Sequence, residues 1–331
     1  MFRKRLLVVF VGLVLILCGC NMAAVESNEQ TEKGIRLYEQ KAYPKALQVL
    51  QMASERDPNN DLPLYYMALI DMEYFHDYGK AIQELQQATG ILADSALYWH
   101  KLGEAYYGLA EQQMLNRQKE DAGASFTACI RSEHEATKID KYYAEAQLQE
   151  ARCHVGLEDF DRAVEAYEAS IRSDPTLKSS DNVTVHYKEL AELYADFGFQ
   201  GRAVSVLTNG LAINMNDGQL EVVLGDVLAD MERYDEALAH YEAAYRFLDE
   251  SGESKLYTLS AMFGAAKVNY DLARQMRARG EFRKAFDYYS EARTWFTRYA
   301  DRAVTEAEKI RRAGALLKIK EINEIMKEEN I

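Results

Sequence analysis

Two stretches of this chain are near copies of each other: DFDRAVEAY at residues 159–167 and RYDEALAHY at residues 233–241. In both, an aromatic residue is followed by alanine three positions later and by tyrosine four positions after that. These spacings place the three residues on one face of a helix. Alanine at the centre of the face lets a second helix approach closely, with the aromatic side chains filling the space on either side. The copies therefore predict repeated, closely packed pairs of helices.

A second pattern around these stretches fixes the period. Trp99, Leu102, Gly103 and Tyr106 follow the spacing Trp-x2-Leu-Gly-x2-Tyr, and Pro175 follows the alanine-containing segment of one repeat. The combined pattern, with its period of about 34 residues, resembles the tetratricopeptide repeat (TPR). The resemblance implies an all-α fold, a right-handed α-solenoid of about seven helix-turn-helix repeats. The expected repeat bounds are 27–60, 61–95, 96–141, 144–177, 184–217, 218–251 and 254–295.

Two repeats and the tail depart from this regular pattern. Repeat three has extra helical turns, including residues 116–121, and repeat seven has a long first helix from about Tyr257 to Arg277. Elongated helices of this kind are either structural variants or docking ridges. Residues 296–331 are expected to form a C-terminal capping helix, continuous over 301–330, that covers the edge of the last repeat. The alternative for this segment is a partner-binding helix.

The N-terminus carries a targeting pattern. Arg3, Lys4 and Arg5 precede an apolar run over residues 6–17, which is too short to span a bilayer comfortably and ends shortly before Cys20. The stretch resembles a bacterial lipoprotein signal peptide of residues 1–19, implying lipid attachment at Cys20 and a tether over residues 20–26. An uncleaved anchor helix and an ordinary secretory signal are the alternatives. The expected location is the cell envelope, facing the periplasm. It would be the outer membrane in a host with two membranes, because Asn21 does not resemble the inner-membrane retention signal.

The charge balance argues against one class of partner. The formal charge of the chain is −14, and removal of the leader with its three cations takes it to −17. An acidic surface repels phosphate backbones, so nucleic acid is not an expected partner. The acidity suits either a basic protein partner or simple solubility.

No constellation of catalytic residues is recognisable. The segment 134–138, HEATK, starts like a zinc-protease helix but lacks the second histidine four residues after the first. The six histidines are scattered, and there is no glycine-rich phosphate loop after a strand. We therefore expect a protein that is not an enzyme and that has no cofactor and no metal site.

Cys129 and Cys153 lie twelve residues either side of Lys141, near a turn between two predicted antiparallel helices. Such positions lie at similar heights, so the two sulfur atoms can approach and form a disulfide in an oxidising compartment. The alternative is a pair of small, buried thiols.

The TPR resemblance also implies where partners bind. In that family, exposed residues of the first helices line a concave groove that binds peptides or protein segments. The alternative for several of these positions is packing between repeats. Mapped onto this chain, the groove positions are Tyr38, Tyr65, Leu69, Met72, His100, Glu104, Tyr107, Leu148, Arg152, Lys188, Glu192, Val222 and Asp226.

These features favour a lipid-anchored scaffold or adaptor that mediates protein–protein interactions in the cell envelope. The layout resembles repeat lipoproteins that assist secretin or pilus assembly or outer-membrane protein biogenesis. Two alternatives remain open at this stage. One is a ligand-binding accessory lipoprotein of a solute transporter, and the other is a regulator of cell-wall enzymes.

Overall fold

The computed structural model describes residues 22–178, 182–251 and 254–328. The predicted leader and Cys20 lie outside these residues. The described chain forms two compact units, one ending at Asp174 and one beginning at Pro175. The all-α class predicted from the repeats is confirmed, since the described residues contain helices and no strand.

The first unit contains four antiparallel helix pairs. A π-helical turn, Asp71–Phe75, extends α3. The helices are α1 (22–39), α2 (Tyr43–Arg56), α3 (Asp61–Ile70), α4 (Tyr78–Ile91), α5 (Ala96–Leu115), α6 (Lys119–Ile139), α7 (Ala144–Gly156) and α8 (Phe160–Ser173).

The second unit contains three further pairs and one additional helix. These helices are α9 (Val185–Asp196), α10 (Gln200–Ile213), α11 (Gly218–Asp230), α12 (Tyr234–Ser251), α13 (Lys255–Ala278), α14 (Phe282–Arg302) and α15 (Lys309–Glu328).

Small residues hold the two helices of each pair together. The alanine of the repeat pattern is at most 1% exposed in the second helix of all seven described pairs. It lies where the two helices approach most closely, as the spacing predicts. These alanines are Ala46, Ala81, Ala122, Ala163, Ala203, Ala237 and Ala285.

The turn inside each described pair also follows one design, because it contains a residue with left-handed backbone geometry. This geometry is costly for any residue except glycine, yet glycine occupies it in only two of these turns. The seven residues have φ between 54° and 81°, and they are Lys41, His76, Arg117, Glu158, Gly198, Glu232 and Gly280.

Three predicted boundaries need correction. Residues 22–26, expected as a tether, already belong to α1, where Glu26 forms an ion pair with Arg56 of α2. The extra turns of repeat three are divided between α5 and α6, with a turn at 116–118. The tail is not one helix from residue 301, because α14 continues to Arg302 and a break follows. A capping box between Thr305 and Glu308 then starts a 3-10 turn that leads into α15.

Candidate functional site: a groove between helices α5 and α7

The predicted groove positions divide into accessible and buried ones. Leu69, His100, Leu148 and Val222 are between 2% and 8% exposed, so they are core residues and not groove residues. The first helix of a stacked pair packs on its own partner and on neighbouring pairs, which leaves only a narrow strip of its surface open. The positions that remain half-buried or exposed are Tyr38, Tyr65, Met72, Glu104, Tyr107, Arg152, Lys188, Glu192 and Asp226.

Aromatic rings run in a continuous row along the first helices of the first three pairs. Tyr65 stacks on Tyr98 with ring centroids 5.0 Å apart, and Tyr66 lies edge-on to both Tyr65 and Tyr38. Tyr38 donates a hydrogen bond of 2.9 Å to Glu73. Burial and the Glu73 contact raise the pKa of Tyr38, and burial with neighbouring charges raises that of Tyr65 to about 12. Both phenols therefore stay protonated at neutral pH, and their packing holds this strip rigid.

His100 of α5 lies between two carboxylates. Nδ1 is 2.9 Å from Oε2 of Glu133, and Nε2 is 3.3 Å from Oε1 of Glu104. Burial lowers the pKa of His100, but the Glu133 charge and the hydrogen bonds to both carboxylates have the larger, opposite effect. The pKa of His100 is therefore raised to about 10. Burial raises the pKa of Glu104, but His100 and Lys101 bring it down to about 2. The pair His100–Glu104 is therefore charged at neutral pH and fixes the face of α5 next to the groove.

Glu133 of α6 is the most deeply buried member of this group. Its side chain is 0% exposed, and its Oε1 atom has no hydrogen-bond partner among the described residues. Burial raises the pKa of Glu133 to about 8. A Cβ atom at position 103 would overlap this carboxylate, so glycine is required there. The signature Gly103 thus makes room for a buried acid in this repeat.

The first unit has an open groove of about 490 Å³ between α5 and α7, in addition to two other cavities of about 550 and 560 Å³. The groove contains two of the predicted positions, Tyr107 and Arg152. Tyr107 donates a hydrogen bond of 2.9 Å to Oε1 of Glu111, so its ring is held in place. We call this site the α5–α7 groove, and its lining residues are Tyr107, Glu111, Met114, Leu115, Phe126, Arg152, Val155 and Gly156.

The floor and rim of the groove come from residues that the sequence patterns did not single out. Phe126 of α6 reaches the floor beside Gly156, where any Cβ atom would overlap the phenyl ring. Met114, Leu115 and Val155 form an apolar rim and are 43%, 85% and 40% exposed. They lie at the ends of the first helices, and in repeat three only the extra helical length brings them there. The sequence feature that could have predicted this rim is the apolar pair Met114–Leu115 at the end of the extended α5.

A disulfide lies directly behind the groove. Cys129 of α6 and Cys153 of α7 are bonded, with Cα atoms 6.5 Å apart, and both are 0% exposed. They pack with Phe126, Ala110 and Ala122 in one core cluster. The bond therefore ties the helix that carries the groove floor to the helix that carries Arg152.

The corresponding strip of the second unit is bridged by side chains. Nζ of Lys188 on α9 lies 2.9 Å from Oη of Tyr257 on α13. Burial lowers the pKa of Lys188, but this hydrogen bond raises it above its ordinary value. Tyr241 donates a hydrogen bond of 2.6 Å to Asp226, which it holds against α12. Lys188 and Asp226 are therefore engaged within the unit.

No group of three or more His, Cys, Asp or Glu side chains within 22–178, 182–251 and 254–328 is placed to hold a metal ion. None of the helices in those ranges has both the length and the apolar character needed to cross a bilayer.

Comparison with known proteins identifies the repeats. TPR family models match residues 144–177 and 218–293. The chain is 29% identical over 90 residues to a TPR repeat-containing protein of Methanocaldococcus jannaschii, a match that spans 27% of this chain and 16% of that protein. The stretches that match are therefore TPR repeats, as the sequence patterns predict.

Solved structures extend the similarity in fold. The C-terminal part of a TPR repeat-containing protein from Cytophaga hutchinsonii has a TM-score of 0.60 and 13% identity, covering 84% of this chain and 97% of that one. PilF from Pseudomonas aeruginosa has a TM-score of 0.50 and 14% identity, covering 72% of this chain and 96% of that one. At these identities the similarity concerns the fold alone.

Proposed function

We propose that this chain is a lipid-anchored scaffold of the bacterial cell envelope and that the α5–α7 groove binds an extended segment of another envelope protein. The observation that carries the proposal is the groove itself, which has an apolar rim, an aromatic floor and one charge of each sign, on Glu111 and Arg152. Sites that bind peptides and small ligands combine mostly apolar walls with a few placed polar groups.

The groove suits a short segment with apolar side chains. Met114, Leu115 and Val155 lose water when such side chains bind, and each well-buried aliphatic group is worth about 1.5–3 kcal/mol. Tyr107 adds a large contact area, and its hydrogen bond to Glu111 means that little side-chain entropy is lost on binding. Arg152 and Glu111 would fix the direction of the segment by pairing with its polar groups.

The anchor supports this function through concentration. Lipidation at Cys20, which the leader's resemblance to a lipoprotein signal supports, would confine the groove to a membrane surface. Partners on the same surface then meet it at a raised effective concentration. The partner we favour belongs to envelope assembly, of the secretin, pilus or outer-membrane protein type.

A photo-crosslinking pair tests the groove in cells. A photoreactive residue at Val155 reports on the rim, and one at Ile139, which is similarly exposed, is its control. We expect a crosslinked adduct with one envelope protein from position 155 only. The adduct should be lost when Arg152→Glu is added, while the circular dichroism spectrum of the variant stays unchanged. Equal adducts at both positions would exclude the groove as the binding site. A permease subunit or a cell-wall enzyme in the adduct would instead support the transporter or regulator alternative.

The anchor is tested separately. Cys20→Ser removes the thioether-forming sulfur, so the variant is expected in the soluble fraction after cell breakage and a wash at about 0.5 M salt, while the parent stays with membranes. A variant that still sediments with membranes argues against lipidation at Cys20.

A further inference from the structure

Charge is divided unevenly along the chain. Residues 20–254 contain 20 Lys or Arg and 42 Asp or Glu, a net charge of −22, whereas residues 255–331 contain 16 and 11, a net charge of +5. Within α15, residues 309–320 contain five cations and no carboxylate. The last part of an acidic protein is therefore basic, and a marked asymmetry of this kind points to a charged binding surface.

Helix α15 packs through one narrow face. Ala315 and Ile322 are 0% exposed and mark the side that contacts the rest of the unit. At 100° per residue, the opposite side of the first three turns carries Lys309, Ile310, Ala313, Leu317 and Lys320. We call these five residues the outer face of α15.

The outer face is apolar as well as basic. Ile310 is 88% exposed and Leu317 is 68% exposed. They are seven residues apart, about two turns, and therefore lie on the same side of the helix. A helix that only caps a repeat array has a polar outer face. Two large, exposed aliphatic side chains flanked by lysines combine apolar area with positive charge, the two contributions that bind a helix to an anionic membrane surface.

We propose that the outer face of α15 binds an anionic lipid surface, with Ile310 and Leu317 entering the headgroup layer and Lys309 and Lys320 pairing with lipid phosphates. The face is a single convex helix whose apolar side chains stand apart, which suits a fluid surface better than a shaped protein partner. The choice of a membrane rests on the proposed lipid anchor, because that anchor would keep such a surface permanently at hand.

The two lysines are available for this role. Lys309 pairs with Glu306 at 2.9 Å, and Lys320 pairs with Glu324 at 3.9 Å. All four side chains are more than 60% exposed, so solvent weakens both pairs and lipid phosphates can replace the carboxylates. The other three cations stabilise the packing of the helix. Arg311 lies over the Phe263 ring, Arg312 donates to the Ala300 carbonyl, and Lys318 lies over Tyr270.

Vesicle cosedimentation with the processed chain, from Asn21 and without lipid, tests this surface independently of the anchor. We expect binding to phosphatidylcholine vesicles that contain about 30% phosphatidylglycerol, no binding to pure phosphatidylcholine, and loss of binding as salt rises to about 0.5 M. Lys309→Gln with Lys320→Gln should weaken binding about 25-fold, at about fivefold per lysine. The matched control, Lys33→Gln with Lys119→Gln, changes the net charge equally and should have no effect.

The apolar part has its own variants. Ile310→Ser with Leu317→Ser should reduce vesicle binding at least tenfold and leave the melting temperature unchanged, since both side chains are exposed. Met52→Ser with Met215→Ser, at 50% and 77% exposure, is the control. The proposal would be overturned by an equal loss of vesicle binding in the test and control double variants, by binding to neutral vesicles, or by sedimentation without vesicles at low salt. The last result would indicate self-association. A soluble Cys20→Ser protein in cells would leave these vesicle results intact, so the two proposals fail separately.

Discussion

Cys129 of α6 and Cys153 of α7 form a covalent link between one helix pair and the next. Cys129 occupies a position that is small in every other described pair, seven residues after the signature alanine. The equivalent residues are Ala53, Ala88, Ser170, Gly210, Ala244 and Ala292. A thiol suits this position because it is little larger than the side chains found at the equivalent positions.

The disulfide should contribute measurably to stability. It closes a loop of 24 residues, which in the chain-entropy account is worth about 3 kcal/mol. We expect Cys129→Ala with Cys153→Ala to lower the free energy of unfolding by about that amount in urea titrations. Reductant should lower the free energy of unfolding of the parent protein to nearly that of the double variant, and it should leave the value of the double variant unchanged. Equal stability of the reduced and oxidised parent, with reduction verified by mass, would contradict the expectation.

Overpacking a helix crossing tests the repeat register. Ala237 is 0% exposed, and leucine there would force α11 and α12 apart. Ala237→Leu should cost about 1–3 kcal/mol in the free energy of unfolding. Ala239→Leu is the matched control, because Ala239 lies on the exposed side of the same helix and should change stability by less than about 0.5 kcal/mol. Similar melting curves for both variants would mean that the register is wrong.

The buried histidine predicts a dependence of stability on pH. The folded-state pKa of His100 is about 10 against about 6.5 in the unfolded chain, so its contribution is complete below pH 6.5 and is lost as pH rises through 10. Glu133, with its pKa raised to about 8, adds a loss in the same direction between about pH 4.5 and 8. Glu104 acts oppositely, and its contribution disappears as pH falls from about 4.5 towards 2.

His100→Gln removes the imidazole, and with it the charge that lowers the pKa of Glu104 and Glu133. The stability advantage of the parent over the variant should shrink by roughly 3 kcal/mol between about pH 6 and about pH 9, measured by urea unfolding. His76→Gln, which replaces an exposed histidine, is the control for the substitution itself. A difference for His100→Gln that stays constant over this range would show that folding does not shift the pKa of the imidazole.

The left-handed turn residues predict a stabilising substitution. Glu232 has φ 58° and is exposed, so glycine removes the backbone penalty without losing a buried contact. Glu232→Gly should raise the free energy of unfolding by about 0.5–1 kcal/mol. Glu242→Gly, at an exposed position inside α12, should lower it by about 1 kcal/mol. A loss of stability in both variants would contradict the turn geometry.

The sequence reveals the helix pairs because their contacts are local and repeated. Ala163 and Ala237 recur at a fixed spacing, and the same crossing geometry demands the same small residue each time. The start of α15 was also readable in principle, since Thr305 and Glu308 have the spacing of a capping box. A continuous tail helix was expected because apolar spacing alone does not register a one-turn break.

The site was harder to predict because it depends on contacts between pairs. His100 and Leu148 have the spacing of groove positions, but neighbouring pairs cover them. The α5–α7 groove forms where the extended α5 brings Met114 and Leu115 beside α7, and no pattern within a single repeat encodes that meeting. The Lys188–Tyr257 contact joins residues 69 positions apart, beyond the reach of any local motif.

The turn within each pair also bears on how this chain can evolve. Six of the seven described pairs have three residues between their helices, and in the remaining pair the π-helical turn Asp71–Phe75 leaves two. One inserted residue would rotate the second helix by about 100° and carry its alanine away from the first helix. The spacing between pairs is less uniform, since eleven residues of sequence separate α8 from α9 and four separate α2 from α3. Genetic change can therefore duplicate or delete whole hairpins and lengthen their joints, whereas length variants inside a hairpin should be purged.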